Sequence, residues 1–142
     1  MNPTPSHGTT VARWIPARGW TGVLITGPSG SGKSDLALRL ISRGWRLVAD
    51  DYSHVFASAG VLYAAPPVRI AGRIEVRGLG IVPVAHLGLT RLVLAVDCVA
   101  RAPERLPEPD RVAVAGLDLP RLAVIARHAS AVEFIAAATA EL

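Results

Sequence analysis

The sequence contains one cysteine, Cys98, and this scarcity excludes both a disulfide framework and a cysteine metal cluster. Cys98 lies in the apolar stretch LVLAVDCVA, so we expect a buried and unreactive thiol. No uninterrupted apolar run reaches the roughly 18 to 20 residues that a membrane helix requires. The N-terminal MNPTPSHGTT has neither the basic start nor the apolar core of a signal peptide. These absences predict a cytoplasmic protein with no membrane partner.

Runs of basic residues are also missing, although the net charge is +4. The arginines are scattered, and there are only three tryptophans, two tyrosines and two phenylalanines with which bases could stack. We therefore predict no nucleic-acid partner. A moderate positive field suits a nucleotide or an acidic protein surface equally well.

Short apolar runs typical of strands alternate with a helical pattern in the N-terminal third of the chain. This order predicts an α/β fold around one mixed sheet. With 142 residues and 51% hydrophobic composition, we expect a single domain over residues 1–142, with residues 1–6 flexible. The predicted strands are 22–26, 46–50, 52–57, 61–65, 91–100 and 119–126, with two extended pieces in 73–85, helices from Ser34 and over 130–142, and a loop over 101–111.

The only lysine, Lys33, lies in GPSGSGKS at positions 27–34, and this segment matches the phosphate-binding pattern G-x-x-x-x-G-K-[ST]. Its glycines let backbone N–H groups form a nest for phosphate oxygens, and the helix that follows adds its positive dipole end. A compact ammonium reaches the β- and γ-phosphates where a planar guanidinium would compete for space. The predicted phosphate-binding residues are Gly27, Pro28, Ser29, Gly30, Ser31, Gly32, Lys33 and Ser34.

Three acidic residues, Asp50, Asp51 and Glu75, are the candidates for metal binding and proton transfer beside this loop. Asp50 and Asp51 end the predicted strand RLVAD, where one acid can hold Mg²⁺ or orient a neighbour while the other accepts a hydroxyl proton. The alternative interpretation is that both aspartates are solvated side chains at the end of a strand and have no catalytic role. Glu75 lies inside RIEVRGLG, and its position is equally consistent with an edge residue that faces water and with a metal ligand. His7 is a single histidine near a terminus, which is typical of a surface residue.

Three stretches together resemble the catalytic domain of the HPr kinase/phosphorylase family: the P-loop ending in GKSD, the segment RGWRLVADD, and IEVRGLGI. The resemblance runs from about His7 to Ala137. It implies a P-loop domain with a central mixed β-sheet and flanking helices. It also implies transfer of phosphate from ATP, with Mg²⁺, to a serine of HPr, the phosphocarrier protein of the sugar phosphotransferase system.

The resemblance also implies roles for single residues. Asp51 would be the general base that takes the serine proton, and the acid that returns it in the reverse reaction, with Asp50 in support. Ser34 and Glu75 would bind the metal. His7 matches a histidine that the family places near Asp51. A family arginine of the active site is matched by Arg105, in ERLPEP.

Two departures from the family pattern affect the expected activity. The common form carries an additional N-terminal domain, so the resemblance is to the short, single-domain form, and the family implies a hexamer. The segment IARHASA replaces a loop similar to PVRPGRN that is tied to dephosphorylation. Kinase activity is therefore better supported than phosphorylase activity.

Two other functional classes remain open. A small-molecule P-loop kinase usually carries an arginine-rich lid, and no such segment is evident. A nucleotide-gated regulatory module would be favoured if Asp51 pointed away from the γ-phosphate position.

Overall fold

The structure is a computed structural model that describes residues 4–142. The strands are β1 Thr4–His7, β2 Thr9–Ile15, β3 Gly19–Thr26, β4 Arg46–Ala49, β5 Tyr52–Ser58, β6 Val61–Ala65, β7 Arg73–Val76, β8 Gly80–Pro83, β9 Thr90–Cys98, β10 Asp110–Val114 and β11 Leu117–Val124. The helices are α1 Lys33–Ile41 and α2 Ala131–Thr139, with a 3₁₀ turn at Val68–Ile70. Within residues 4–142, no helix is long and apolar enough to cross a membrane.

Within the described residues, nine strands form one mixed sheet, and β7 and β8 form a separate hairpin. Strands β1, β5, β6, β9, β3, β2 and β4 follow one another across the sheet, with β11 also beside β9 and β10 beside β11. The three strands β3, β9 and β11 run parallel to one another. The carboxyl ends of these parallel strands therefore meet at one edge of the sheet, which is where ligands bind in open α/β sheets.

Side chains alternate between two apolar clusters on the two faces of the sheet. On β3, Val23 and Ile25 pack with both helices, whereas Leu24 packs with strands β5 and β6 on the opposite face. Strands β3 and β9 are covered on both sides, and their continuous apolar sequences reflect that burial.

Helix α1 is defined at both ends by glycine. Gly32, at the N-cap, has a φ of 94°, and Gly44, just beyond the C-terminal end, has a φ of 96°. The N–H of Trp45 donates to the carbonyl of Leu40, and Trp45 is itself buried in the core. This capping ends the helix and directs the chain back into β4.

The structure confirms the predicted mixed sheet and both predicted helices, and it adds a strand at the N-terminal end of the described residues. Residues 4–6, expected to be flexible, belong to β1, which pairs antiparallel with β5. Residues 1–3 of that expected flexible segment lie outside the described residues. Strand β2 and the short strand β10 were not predicted, and β10 begins inside the expected loop over 101–111.

Candidate active site

The loop over residues 27–34 joins β3 to α1 in a conformation that only glycine tolerates at its close approaches. Gly27 has a φ of 145°, and a Cβ atom there would lie 2.7 Å from Ser31 Oγ and 3.1 Å from Cys98 Cβ. A Cβ atom on Gly32 would lie 3.2 Å from Ala126 Cβ. The loop therefore packs against the ends of β9 and β11, which fixes its position.

The ammonium of Lys33 lies inside this loop. The residue is only 7% exposed, and its Nζ donates to the carbonyls of Gly27 at 2.8 Å and Pro28 at 3.1 Å. A phosphate bound by the loop amides would lie beside this charge, and the first turn of α1 presents its N–H groups to the same site.

Asp50, at the end of β4, is buried and connects four elements. Its Oδ1 accepts hydrogen bonds from Ser34 Oγ at 2.7 Å and from Thr9 Oγ1 at 3.1 Å. Its Oδ2 accepts from the backbone N–H of Glu75 at 3.1 Å. The carboxylate therefore ties β2, the P-loop and the β7–β8 hairpin to β4, and it orients the Ser34 hydroxyl.

Asp51, unlike the buried Asp50, is exposed. Its φ of 67° is in the left-handed region, where aspartate is tolerated better than most residues. The backbone N–H donates to Thr9 Oγ1 at 3.1 Å, and the carbonyl accepts from the N–H of Gly8 at 2.7 Å. Together these bonds hold the carboxylate, whose side chain is 59% exposed, at the cleft.

His7, from β1, is a direct neighbour of the Asp51 carboxylate. Its Nε2 lies 3.0 Å from Asp51 Oδ1, and its ring packs on Tyr52 with centroids 5.2 Å apart. Pairing of β1 with β5 brings the two residues together across 44 positions of sequence. The structure therefore juxtaposes the predicted base with the histidine that was matched to it.

One cleft of about 900 Å³ contains most of the predicted site residues. Its walls include Lys33 and Ser34 from the P-loop, both aspartates, and Glu75. Further lining comes from the rest of the P-loop, from α1, from the β7–β8 hairpin and from the segment after β11: Ser29, Gly30, Gly32, Asp35, Leu38, Val76, Arg77, Gly78, Leu79, Gly80 and Arg127. This volume accommodates a triphosphate tail together with an incoming side chain.

Two predicted catalytic residues do not line the cleft: His7, which reaches it only through its contact with Asp51, and Arg105. Within residues 4–142, Arg105 has no such contact with the site. It lies exposed in the loop between β9 and β10, and it is absent from the cleft lining among the described residues. Two cations that sequence reasoning missed, Arg77 and Arg127, do line the cleft. Arg77 lies beside Glu75 in the quoted motif, but nothing in the local sequence distinguishes Arg127 from the other scattered arginines.

The residues around Ser34 are suited to Mg²⁺, which prefers oxygen ligands and retains several waters and phosphate oxygens. Asp50 and Ser34 share a hydrogen bond, and Glu75 lines the same cleft. Within residues 4–142, no group of three or more carboxylate, histidine or cysteine side chains forms a preassembled metal cage. This arrangement fits an ion that is bound together with a nucleotide.

Cys98 is buried behind the P-loop, as expected. Burial raises the pKa of its thiol to about 11, while the nearby Lys33 acts in the opposite direction. The thiol is therefore protonated at neutral pH and serves as packing.

Comparisons with known proteins show which family this chain is similar to. The family model described as HPr serine kinase C-terminal domain matches residues 14–94. HPr kinase/phosphorylase from Clostridium kluyveri is 54% identical over 66 residues, and the one from Clostridium tetani is 53% identical over 66 residues. Each match covers 46% of this chain, and the chain spans about a fifth of the length of these relatives (21% and 22%).

A solved structure extends the similarity to nearly the whole fold. The HPr(Ser) kinase/phosphatase from Coxiella burnetii superimposes with a TM-score of 0.76 at 27% identity. The match covers 93% of this chain and 86% of that one. The mixed sheet with its two helices is thus a known architecture.

Proposed function

The chain belongs to the HPr serine kinase C-terminal domain family, and on this premise we propose that it is an ATP- and Mg²⁺-dependent serine kinase of an HPr-type phosphocarrier protein. The observation that carries the proposal is the exposed Asp51 carboxylate, which lines the same cleft as the P-loop lysine. Phosphoryl transfer to an alcohol requires a bound phosphate donor, which the P-loop would hold, and a proton acceptor, which Asp51 would supply.

In the forward reaction, the loop amides and Lys33 hold the β- and γ-phosphates of ATP. The serine oxygen of the acceptor forms a bond to the γ-phosphorus as the bond from that phosphorus to the β–γ bridging oxygen breaks. Asp51 takes the serine proton, and His7 orients the carboxylate through Oδ1. The products are ADP and the phosphoserine form of the acceptor.

Ser34 and Glu75 are the residues that we propose as metal ligands, with Asp50 holding the Ser34 hydroxyl in position. When bound, Mg²⁺ would neutralise charge on the phosphate oxygens and orient the triphosphate. Arg77 and Arg127 supply further positive charge to the same cleft.

The rim of the cleft favours a protein acceptor over a small molecule. Leu79 and Ile81, on the β7–β8 hairpin, are 73% and 71% exposed, and Leu79 lines the cleft itself. Exposed apolar side chains beside an active site are typical of surfaces that bind another protein. A cytoplasmic location and a hexameric assembly, both implied by the family, belong to the same proposal.

The direct test is transfer of the labelled γ-phosphate of ATP to a purified HPr-type phosphocarrier. We expect Mg²⁺-dependent labelling of one serine, and no labelling when that serine is replaced by alanine. Transfer to small alcohols or sugars without transfer to the phosphocarrier would instead support a small-molecule kinase. Nucleotide binding without any transfer would support a regulatory module.

We predict that the reverse reaction is weak, because the segment 125–131 replaces the loop that the resemblance ties to dephosphorylation. The measurement is release of phosphate or pyrophosphate from serine-phosphorylated phosphocarrier, compared with the forward rate of the same preparation. Reverse turnover as fast as the forward rate would show that this loop's sequence is dispensable.

A further inference from the structure

A second, smaller cavity lies close to the catalytic cleft and has no role in the transfer described above. This apolar recess, of about 140 Å³, is lined chiefly by Ala102, Pro103, Val124, Ile125, His128 and Phe134. It lies between the loop after β9, the end of β11 and the first turn of α2. An aromatic ring, an imidazole and aliphatic side chains surround a space of the size that a flat heterocycle occupies.

The sheet register places the recess at the same edge as the P-loop. Thr26 of β3 pairs with Asp97 of β9, and Val124 of β11 pairs with the adjacent Cys98. These pairs are the last of each parallel ladder, so the segments beginning at Gly27, Val99 and Ile125 leave the sheet side by side. A ligand held by the P-loop therefore has the other two segments beside it.

The segment after β11 borders both cavities. Arg127 lines the phosphate cleft, whereas Ile125 and His128 line the recess. The segment is also fixed to α1, because the Arg39 guanidinium donates to the carbonyls of Ala126 and His128. Cleft and recess are therefore separated by a few residues of rigidly held backbone.

We propose that this recess binds the nucleobase of the phosphate donor, and this inference rests on the proposed kinase function. With the triphosphate on the P-loop and Arg127 beside it, the base extends past the segment 125–128 and packs among Phe134, His128 and Ile125. Stacking on aromatic side chains accepts any base, because every base presents a π-face. The recess then accounts for binding of the nucleoside, and the P-loop accounts for binding of the phosphates.

The experiment compares Mg-ATP with Mg-tripolyphosphate, which lacks a base and a ribose, by calorimetric titration of the full chain. Two variants alter the recess: Ala102→Trp fills it from an exposed position, and Phe134→Ala removes its aromatic wall. Matched controls are Ala113→Trp, at an exposed position of β10, and Phe56→Ala, on β5.

We expect each recess variant to weaken ATP binding at least about fivefold and to leave tripolyphosphate binding unchanged. Unchanged tripolyphosphate binding also shows that the variant is folded. The controls should bind both ligands as the unmodified chain does. Unchanged ATP affinity in both recess variants would overturn the base assignment while leaving the phosphate site intact. Failure of the unmodified chain to bind either ligand would overturn the kinase proposal and this inference together.

Discussion

At the scale of single residues, Lys33 is the clearest case of a side chain selected by its shape. Fourteen other basic residues are arginine, yet the position inside the P-loop is lysine. The residue is buried, and its Nζ donates to two backbone carbonyl oxygens at 2.8 and 3.1 Å. A guanidinium carries the same charge on a wider, planar fork, so we expect it to fit less well between these carbonyls and a bound phosphate.

We therefore predict that Lys33→Arg weakens Mg-ATP binding about tenfold or more without changing the net charge. Calorimetric titration of the variant measures the effect. Arg46→Lys, at an exposed position outside the cleft lining, is the control and should leave the affinity unchanged. Equal affinity of Lys33→Arg and the unmodified chain would contradict the shape argument.

Cys98 gives a second prediction at this scale. Because burial raises the pKa of its thiol to about 11, roughly one thiol in a thousand is ionised at pH 8 in the folded chain. An exposed cysteine, with a pKa near 8.5, would be about one quarter ionised. We expect the thiol to react with a disulfide reagent at least about a hundredfold more slowly in buffer than in urea. Complete labelling within minutes in buffer would contradict the burial.

At the scale of elements, the β7–β8 hairpin is held rigidly at its base and exposes its tip. Ile74 is buried in the core, and the backbone N–H of Glu75 is bound to Asp50. The tip, with Leu79, forms one rim of the cleft. The hairpin therefore exposes an apolar tip at the rim of the cleft, where we propose that the protein acceptor docks.

We predict that Leu79→Ser raises the KM for the phosphocarrier roughly three- to tenfold and leaves the KM for ATP unchanged. Steady-state kinetics with each substrate varied in turn separates the two constants. Val68→Ser is the matched control, because Val68 is 92% exposed and absent from the cleft lining. An equal rise in KM for both variants would remove the hairpin tip from the docking surface.

The sequence predicted those elements whose patterns are local. Strand β3 is a continuous apolar run bounded by glycines, and α1 shows helical spacing between two glycine boundaries, so both were recognisable. Strand β1 was missed because TPSH has no apolar alternation and is ordered by pairing with β5. Strand β10 was missed for the same physical reason: its partly exposed DRVAV is stabilised by the neighbouring β11 rather than by its own composition.

At the scale of the whole molecule, the site is assembled from segments far apart in sequence. The P-loop and the acids that follow it were predictable because the motif, the strand and the helix occur within about thirty residues. The Thr9 hydroxyl donates to Asp50 and accepts from the backbone N–H of Asp51, and Arg127 lies in the cleft; these positions depend on how strands pair across the sheet. Such contacts follow from topology, and no local pattern encodes them.

The fold also determines which substitution of Asp51 is informative. Asparagine has the same shape and is among the residues that tolerate a φ of 67°, so Asp51→Asn preserves the backbone and removes only the basic carboxylate. Alanine would add strain in the left-handed region and would confuse loss of the base with local rearrangement.

The role of Asp51 is tested most directly by single-turnover transfer from Mg-ATP to a purified HPr-type phosphocarrier, catalysed by the Asp51→Asn variant. Calorimetric titration of the same variant with Mg-ATP accompanies it. We predict that transfer falls about a hundredfold or more, since a positioned base is lost, while ATP affinity stays within about twofold. Transfer at the unmodified rate with normal ATP binding would contradict the assignment of Asp51 as the base, and with it the central claim of the account.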